Sequence, residues 1–382
     1  MSLINYITTV QFGFGILANL PSGCEGLGIS RPLIVTDPGI LASGLLNTLI
    51  AKLGVLPHAV YDRTPPNPNE SAIRQGVEAY RAGNCDGVIA FGGGSSIDLA
   101  KGVALMVTHP GPLRQYAAIE GGVTRITSSV VPIIAIPTTA GTGSEVGRAA
   151  VLILDDGRKL GVLSPYLIPK LAICDPELTL TLPKGLTAAT GMDAIAHCIE
   201  TFLAPAFNPP ADGIALDGLE RAWAHIRIAV EEPGNRDARL NMMSASMEGA
   251  LAFQKGLGCV HSLSHSLGGV NPKLHHGTLN AIFLPAVIEF NACASTVVSE
   301  HRMERLARAM NLKCITGHAS AVAAAIRNMG RDIGLPSGLQ AIGIDATHYP
   351  DIVQGALADH CHKTNPRLAS EADYFAILKA SA

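Results

Sequence analysis

The pattern of apolar residues changes once along this chain, and that change limits the fold more than any other feature. Up to about residue 180, short β-branched runs alternate with turn residues and amphipathic stretches. Strands separated by helical stretches such as 70–82 predict βαβ units and a parallel sheet. The predicted strands are residues 32–36, 59–61, 87–91, 133–136 and 171–174. From about Thr187 onward the strand pattern is lost and the helical period replaces it, at residues 188–203, 211–230, 237–256, 298–310 and 318–334.

This change predicts two domains. We expect an α/β domain at residues 1–182 and an all-helical domain at residues 183–382. The boundary is placed at residues 182–185, Leu-Pro-Lys-Gly, because proline and glycine interrupt the pattern there. A chain of 382 residues can bury a core in each domain without disulfides.

Charge and cysteine content exclude several classes of protein. The net charge is −3, which provides no basic surface for nucleic acid. The apolar runs are far shorter than the ~20 residues of a membrane span, and the start has no signal-peptide pattern, so we expect a cytoplasmic protein. The eight cysteines are scattered without a CxxC pair, as is typical of reduced thiols, and Cys198 and Cys259 are expected in the core.

A glycine-rich run follows the third predicted strand. GGGSSIDLAK, residues 92–101, opens a helix, and either Ser95 or Ser96 could cap it. Free amides and the helix dipole at such a turn predict a pyrophosphate site. The run departs from G-x-G-x-x-G because Ile97 replaces the last glycine. A tight turn without a ligand is the alternative.

A second small-residue loop supports a nucleotide site. PTTAGTGSEV, residues 137–146, also follows a predicted strand and carries three threonine hydroxyls. Two loops after neighbouring parallel strands face the same edge of a sheet. Asp37 ends the first predicted strand and could accept a hydrogen bond from a ribose 2′-hydroxyl. An Asx turn before Pro38 explains the same residue equally well.

The helical half contains a cluster of metal-ligand residue types. Asp193 and His197 are spaced i,i+4, which places both on one helix face, and His261 and His265 repeat that spacing. A histidine doublet at 275–276 follows in what we expect to be a loop. One carboxylate with imidazoles and no thiolate suits Fe²⁺ or Zn²⁺ with a coordination position open for substrate. A core histidine is the alternative for any one of them.

Four motifs in this order resemble those of the iron-containing (group III) alcohol dehydrogenases over essentially the whole chain. They are GGGSSIDLAK, TTAGTGSE, GMDAIAH and the segment around HSLSHSLGG. The resemblance implies a Rossmann-like α/β nucleotide domain followed by a helical metal domain, as in dehydroquinate synthase. It implies NAD, Fe²⁺ with Zn²⁺ as the alternative, a small alcohol or aldehyde substrate, and a homo-oligomer, a homodimer or larger. Residues 185–208 and 359–366 are similar to the bacterial 4-hydroxybutyrate dehydrogenase branch.

The resemblance also assigns site residues. Its metal ligands fall on Asp193, His197, His261 and His276, with His275 left open as the other member of the doublet. Its proton-transferring histidine falls on His265. Its cofactor positions fall on the loops and on two less secure residues: Asp37, Gly92, Gly93, Gly94, Ser95, Asp98, Thr138, Thr139, Thr142, Lys159 and Leu178.

The resemblance implies hydride transfer between NAD(H) and a primary alcohol or aldehyde, in particular 4-hydroxybutyrate and succinate semialdehyde. We expect Arg148 to fold inward and grip the substrate carboxylate. A surface ion pair is the alternative for Arg148, and the other cations considered are Lys255, Lys273 and Lys363. Competing functions are a sibling lactaldehyde, 1,3-propanediol or maleylacetate enzyme, a dehydroquinate synthase-like lyase, and a binding module without activity.

Overall fold

The computed structural model describes residues 8–382, which divide into two compact units. The α/β unit contains residues 8–139 and Gly143–Leu182. The helical unit contains Ala140–Thr142 and Pro183–Ala382. The short segment Ala140–Thr142 therefore belongs to the helical unit, although the sequence places it in the first domain. Its backbone packs closely there, since a Cβ on Gly141 would lie 2.7 Å from the Cβ of Thr190.

A six-stranded parallel sheet forms the centre of the α/β unit. Its strand order is β1-β8-β5-β4-β2-β3, and every neighbouring pair is parallel. The pair β6 and β7 forms a separate antiparallel hairpin. The strands are β1 (Thr9–Phe12), β2 (Pro32–Val35), β3 (Ala59–Tyr61), β4 (Gly87–Gly92), β5 (Ile133–Pro137), β6 (Ala149–Ile153), β7 (Lys159–Leu163) and β8 (Leu171–Cys174).

Apolar side chains cover both faces of this sheet. On β4, Val88 and Ala90 belong to one buried cluster, whereas Ile89 and Phe91 belong to the other. This alternation is expected because successive strand residues point to opposite faces. The helices of this unit are α1 (Leu20–Gly26), α2 (Pro38–Ser43), α3 (Leu45–Leu53), α4 (Glu70–Ala82) and α5 (Gly94–Thr108).

The helical unit is built around one buried helix. In α6, every residue from Thr187 to Leu203 is buried, so this helix has no solvent face over most of its length. The helices are α6 (Lys184–Leu203), α7 (Pro209–Glu231), α8 (Arg236–Leu251), α9 (Cys259–Val270), α10 (His276–Asn291), α11 (Ser295–Ser299), α12 (Arg302–Ala309), α13 (His318–Asp332), α14 (Tyr349–Ala358) and α15 (Glu371–Ala380). Within residues 8–382, no helix is long and apolar enough to cross a membrane.

Five expectations differ from these elements. The edge strand β1 and the hairpin β6–β7 were not predicted, although predicted strands such as 59–61 are no longer than these. The glycine-rich run consequently follows the fourth strand. The predicted helix 298–310 is two helices, α11 and α12, separated at His301, whose φ of 52° is left-handed. Helix 237–256 ends as α8 at Leu251, and a 3₁₀ turn, Ala252–Lys255, follows it. Of the doublet at 275–276, His275 lies in the loop as expected, whereas His276 begins α10.

Candidate functional site

Four predicted ligands meet inside the helical unit. The carboxylate oxygen Oδ1 of Asp193 lies 3.7 Å from Nε2 of His197, 3.8 Å from Nε2 of His261 and 3.7 Å from Nε2 of His276. Helix α6 supplies the first two residues one turn apart, and α9 and α10 supply one each. Three helices that are far apart or separated in sequence thus place these side chains around Asp193.

These separations from Asp193 are close to those between atoms that share one metal ion, and the donor atoms of Asp193, His197 and His261 all lie within 4.8 Å of one another. Two atoms bound at ~2.0–2.2 Å to one tetrahedral ion lie roughly 3.3–3.6 Å apart. The carboxylate and two of the histidines are buried, whereas the His276 side chain is 25% exposed. The His276 side of the cluster is therefore the side nearest to solvent.

Hydrogen bonds orient two of the imidazoles. His261 pairs through Nδ1 with the Glu200 carboxylate at 2.5 Å, and His197 donates through Nδ1 to the carbonyl of Gly141 at 3.1 Å. With the proton on Nδ1, each Nε2 has a lone pair directed at the Asp193 side of the cluster. Burial, then the neighbouring His197, holds the pKa of His261 well below its usual range. The lowered pKa favours the neutral imidazole, which is the form that binds a metal.

The structure places His276, and not the exposed His275, in the cluster. The following residue explains why. A Cβ on Gly277 would overlap the carbonyl oxygen of Ala189 in α6, so α10 can begin this close to α6 only with glycine there.

Two residues of this cluster were missed from the sequence. Glu200 accepts from the backbone amide of Val260 at 2.8 Å as well as pairing with His261, and burial raises the pKa of Glu200 to about 7. Asn280 donates through Nδ2 to Oδ1 of Asp193 at 2.7 Å. Both carried a signal, because each lies three or four positions after a predicted ligand on the same helix.

His265 lies one helical turn beyond His261. Its Nδ1 donates to Oδ2 of Asp359 at 3.0 Å, and its ring stacks on His276 with centroids 5.3 Å apart. Burial opposes ionisation, but His265 and His360 together hold the pKa of Asp359 below its usual range. The ionised carboxylate fixes the Nδ1–H tautomer of His265, which leaves Nε2 able to accept a proton. Asp359 was not predicted.

In the α/β unit, the glycine-rich run forms the predicted turn between β4 and α5. Gly92 has a left-handed φ of 150°, and Gly93 is the N-cap of α5. The prediction that Ser95 or Ser96 caps this helix is wrong. Ser95 donates to the carbonyl of Pro66 at 2.5 Å and Ser96 to Oδ2 of Asp37 at 2.9 Å. Since no side chain of the described residues caps α5, its first amides remain directed at the loop.

Asp37 forms the Asx-type cap. Its Oδ1 accepts from the amides of Gly39 at 2.9 Å and Ile40 at 3.1 Å, at the start of α2. A ribose contact stays a prediction for this half-buried carboxylate.

The other predicted cofactor residues differ in whether they lie at the turn between β4 and α5. Thr138 donates its amide to the carbonyl of Gly92 at 3.0 Å, which holds the two loops together, and Gly93 and Thr139 lie in close approach. Lys159 donates to Asn67 at 2.8 Å. Leu178 is buried in the apolar cluster beneath the sheet.

Asp98 and Thr142 lie elsewhere. Asp98 accepts from Ser144 at 2.6 Å and from the amide of Val151 at 2.9 Å. Thr142 belongs to the helical unit. The loop turn therefore gathers only part of the predicted set.

Two family models match the chain. Iron-containing alcohol dehydrogenase matches residues 8–176, and Fe-containing alcohol dehydrogenase family, C-terminal, matches residues 187–382. The chain belongs to the iron-containing alcohol dehydrogenase family. The resemblance, the α/β and helical fold and the alcohol oxidoreductase class are thereby confirmed.

Relatives of this iron-containing alcohol dehydrogenase cover all or nearly all of its length. A 4-hydroxybutyrate dehydrogenase of Cupriavidus necator is 58% identical over an alignment of 385 positions that covers 100% of each chain. An NAD-dependent methanol dehydrogenase of Bacillus methanolicus is 34% identical over 96% of each chain. Among solved structures, a 1,3-propanediol oxidoreductase covers 100% of both chains with 33% identity and a TM-score of 0.93.

Among the cations that were considered for a substrate carboxylate, Arg148 does not have the position that was predicted for it. Arg148 does not fold inward, because its side chain is exposed. Lys255 is buried and bonded to the carbonyl of Phe202 and the carboxylate of Asp212, so it is held within the protein core. Lys273 and Lys363 are exposed.

A buried lysine of the glycine-rich motif has a structural position. Lys101 donates to Ser144 Oγ at 2.8 Å and to the carbonyls of Gly147 at 2.9 Å and Ala149 at 2.8 Å. Burial lowers the pKa of Lys101 to about 8. Lys101 thus fixes the end of the loop at residues 137–146 through buried hydrogen bonds. Cys198 and Cys259 are buried free thiols, as predicted.

Proposed function

We propose that this iron-containing alcohol dehydrogenase oxidises 4-hydroxybutyrate to succinate semialdehyde with NAD, and catalyses the reverse reduction. The convergence of the Asp193 carboxylate and three imidazoles carries the proposal. The 58% identity to a 4-hydroxybutyrate dehydrogenase supports the substrate, and the NAD-dependent relative supports the cofactor.

The two parts of the chain have separate tasks in this proposal. Residues 1–182 bind the dinucleotide, with the first amides of α5 meeting its pyrophosphate. Residues 183–382 hold the metal through Asp193, His197, His261 and His276. Fe²⁺ is the ion we propose, with Zn²⁺ as the alternative. When bound, the metal supplies a Lewis acid that stabilises negative charge on the substrate oxygen, and NAD supplies the hydride acceptor.

The protein residues move the proton and position the ligands. His265 accepts the alcohol proton at Nε2, while Asp359 holds the opposite nitrogen at 3.0 Å and stabilises the imidazolium that forms. Glu200 and Gly141 keep the ligand imidazoles in the orientation described above. In the reverse direction, His265 returns the proton to the product alcohol.

A direct assay tests the reaction. Protein loaded with Fe²⁺ without oxygen should form NADH steadily from 4-hydroxybutyrate, with a higher kcat/KM than from 1,3-propanediol or 1-butanol. A preference for 1,3-propanediol would assign the sibling function suggested by the matched structure. Absence of net NADH with every alcohol would contradict the proposal.

We also propose a cytoplasmic homo-oligomer, a dimer or larger, whose mass light scattering would measure.

Arg148 is exposed instead of folded inward, so we propose for it only a solvent-screened contact with the substrate carboxylate. An exposed ion pair contributes at most about 1 kcal/mol, so Arg148→Met should raise KM for 4-hydroxybutyrate about fivefold or less and spare 1-butanol. Lys273→Met is the matched control with another exposed cation. A larger KM change in the lysine variant would reassign the carboxylate to Lys273.

A further inference from the structure

A second group of ligand-type side chains lies in the helical unit. His265, Asp359, His360 and Cys361 each offer one donor atom, and these atoms all lie within 4.8 Å of one another. His265 comes from α9, and the other three follow directly after α14. The group therefore joins two elements nearly a hundred residues apart in the chain.

The donor atoms are spaced like metal ligands. Oδ2 of Asp359 lies 3.0 Å from Nδ1 of His265 and 3.6 Å from Nδ1 of His360. The Cys361 sulfur lies 3.5 Å from Nε2 of His360. Either nitrogen of His360 could turn toward a shared ion.

The local backbone preorganises this group. Oδ1 of Asp359 accepts from the amide of Cys361 at 2.8 Å, so Oδ2 remains on the side of the two imidazoles. The Asp359 side chain is only 8% exposed and Cys361 is buried, whereas the His360 side chain is 32% exposed. His360 thus gives an ion a route from solvent to the buried donors.

The donor set differs from that of the catalytic cluster. Two imidazoles, a carboxylate and a thiolate are typical of Zn²⁺, whereas the Asp193 cluster has no sulfur. A thiolate and a carboxylate together neutralise a divalent ion, which reduces the cost of placing its charge in a buried position.

We propose that His265, Asp359, His360 and Cys361 form a second, inhibitory site for Zn²⁺ and similar ions. An ion entering this site displaces the proton of the Cys361 thiol, which is released to solvent. Burial raises the pKa of Cys361 well above its usual range, so the thiol is protonated until an ion binds.

Filling the site changes His265. The ion takes the lone pair of Nδ1, so the imidazole proton moves to Nε2 and that nitrogen can no longer accept one. Inhibition by this route rests on the proposed role of His265 in proton transfer. Binding at the second site does not depend on that role.

Cobalt distinguishes the two sites by their ligands. Protein with one equivalent of metal already bound should take up a second equivalent of Co²⁺. A thiolate-to-cobalt charge-transfer band should then appear, because only the second site contains sulfur. Cys361→Ser should abolish this band, and Cys293→Ser, which changes an exposed thiol elsewhere, should keep it.

A second variant keeps the test valid if the buried Cys361→Ser substitution prevents folding. His360→Gln alters a partly exposed side chain and should weaken uptake of the second Co²⁺ at least tenfold, while His348→Gln, at another partly exposed histidine, should not. No second equivalent, a second equivalent without the band, or unchanged affinity in His360→Gln would each overturn the site.

Zinc inhibition tests the consequence. Zn²⁺ added to the loaded enzyme should lower activity at least tenfold, and His360→Gln should need at least tenfold more zinc for the same fractional loss of its own activity. Loss of activity together with release of the first metal would show displacement at the catalytic cluster and overturn the inhibitory role. The cobalt band needs no substrate, so it stands or falls separately from the proposed reaction.

Discussion

The metal cluster and the glycine-rich loop use opposite means to build a site. In the metal cluster, side-chain atoms from α6, α9 and α10 converge, and hydrogen bonds such as Glu200 to His261 fix their direction. In the loop, the side chains of Ser95 and Ser96 turn to partners within the protein. The loop therefore presents backbone amides, and not these side chains, to a ligand.

The difference teaches how to interpret a motif residue. In our proposal a histidine of the cluster supplies one donor atom to the metal, so its replacement removes a ligand. A serine or aspartate of the loop is required for the path of the chain, so its replacement acts indirectly. The two regions should therefore respond differently to single substitutions, and metal content should separate them.

The largest effect is expected at the histidine doublet. His276→Ala removes a metal ligand and should lower metal content and reduce kcat/KM by roughly 100- to 1,000-fold, since a metal supplies several kcal/mol of charge stabilisation. Metal analysis and NADH formation measure both. His275→Ala is the matched control and should retain both. Loss of metal and activity in His275→Ala, with both retained in His276→Ala, would show that His275 is the ligand instead.

Next in size is the effect of a residue that only orients a ligand. Glu200→Gln keeps the shape but weakens the pairing with His261, and partners of this kind contribute about 10- to 100-fold in metal affinity. Competition with a chelator measures it. Glu248→Gln, a carboxylate bonded to Ser244 instead, should leave the affinity unchanged. Equal losses in both variants would mean general destabilisation.

In the loop, a backbone change should matter while metal content stays constant. A Cβ on Gly92 would lie 2.6 Å from Ser96 Oγ, at a left-handed φ. Strain of this kind costs about 1–3 kcal/mol, so Gly92→Ala should weaken NAD binding about tenfold. Gly185→Ala, with open space around its Cβ, is the control. Metal loss in Gly92→Ala would break the distinction between the two regions.

The smallest effect concerns cofactor choice. Two unit charges 4 Å apart in water repel by about 1 kcal/mol, so the Asp37 carboxylate should disfavour a 2′-phosphate about fivefold. Asp37→Gly and Asp37→Asn should both relax the preference for NAD over NADP, measured as a ratio of kcat/KM values. The asparagine variant keeps a cap on α2. Relaxation in the glycine variant alone would assign the effect to the turn.

Local pattern determined much of this protein. The helix at 70–82 and the strands at 59–61 and 171–174 have the predicted bounds, because alternation and helical period are properties of neighbouring residues. The i,i+4 spacing likewise placed Asp193 and His197 on one face of α6. Four motifs in order were enough to assign the family.

Only the tertiary structure decided the finer features. It selected His276 over His275, left Arg148 exposed, and paired His261 with Glu200, which lies 61 positions away. Such pairings depend on how helices pack, and nothing in the local sequence of His261 records which carboxylate will meet it. The residue types for the chemistry can be identified along the chain, but hydrogen bonds across elements determine which atom faces the metal.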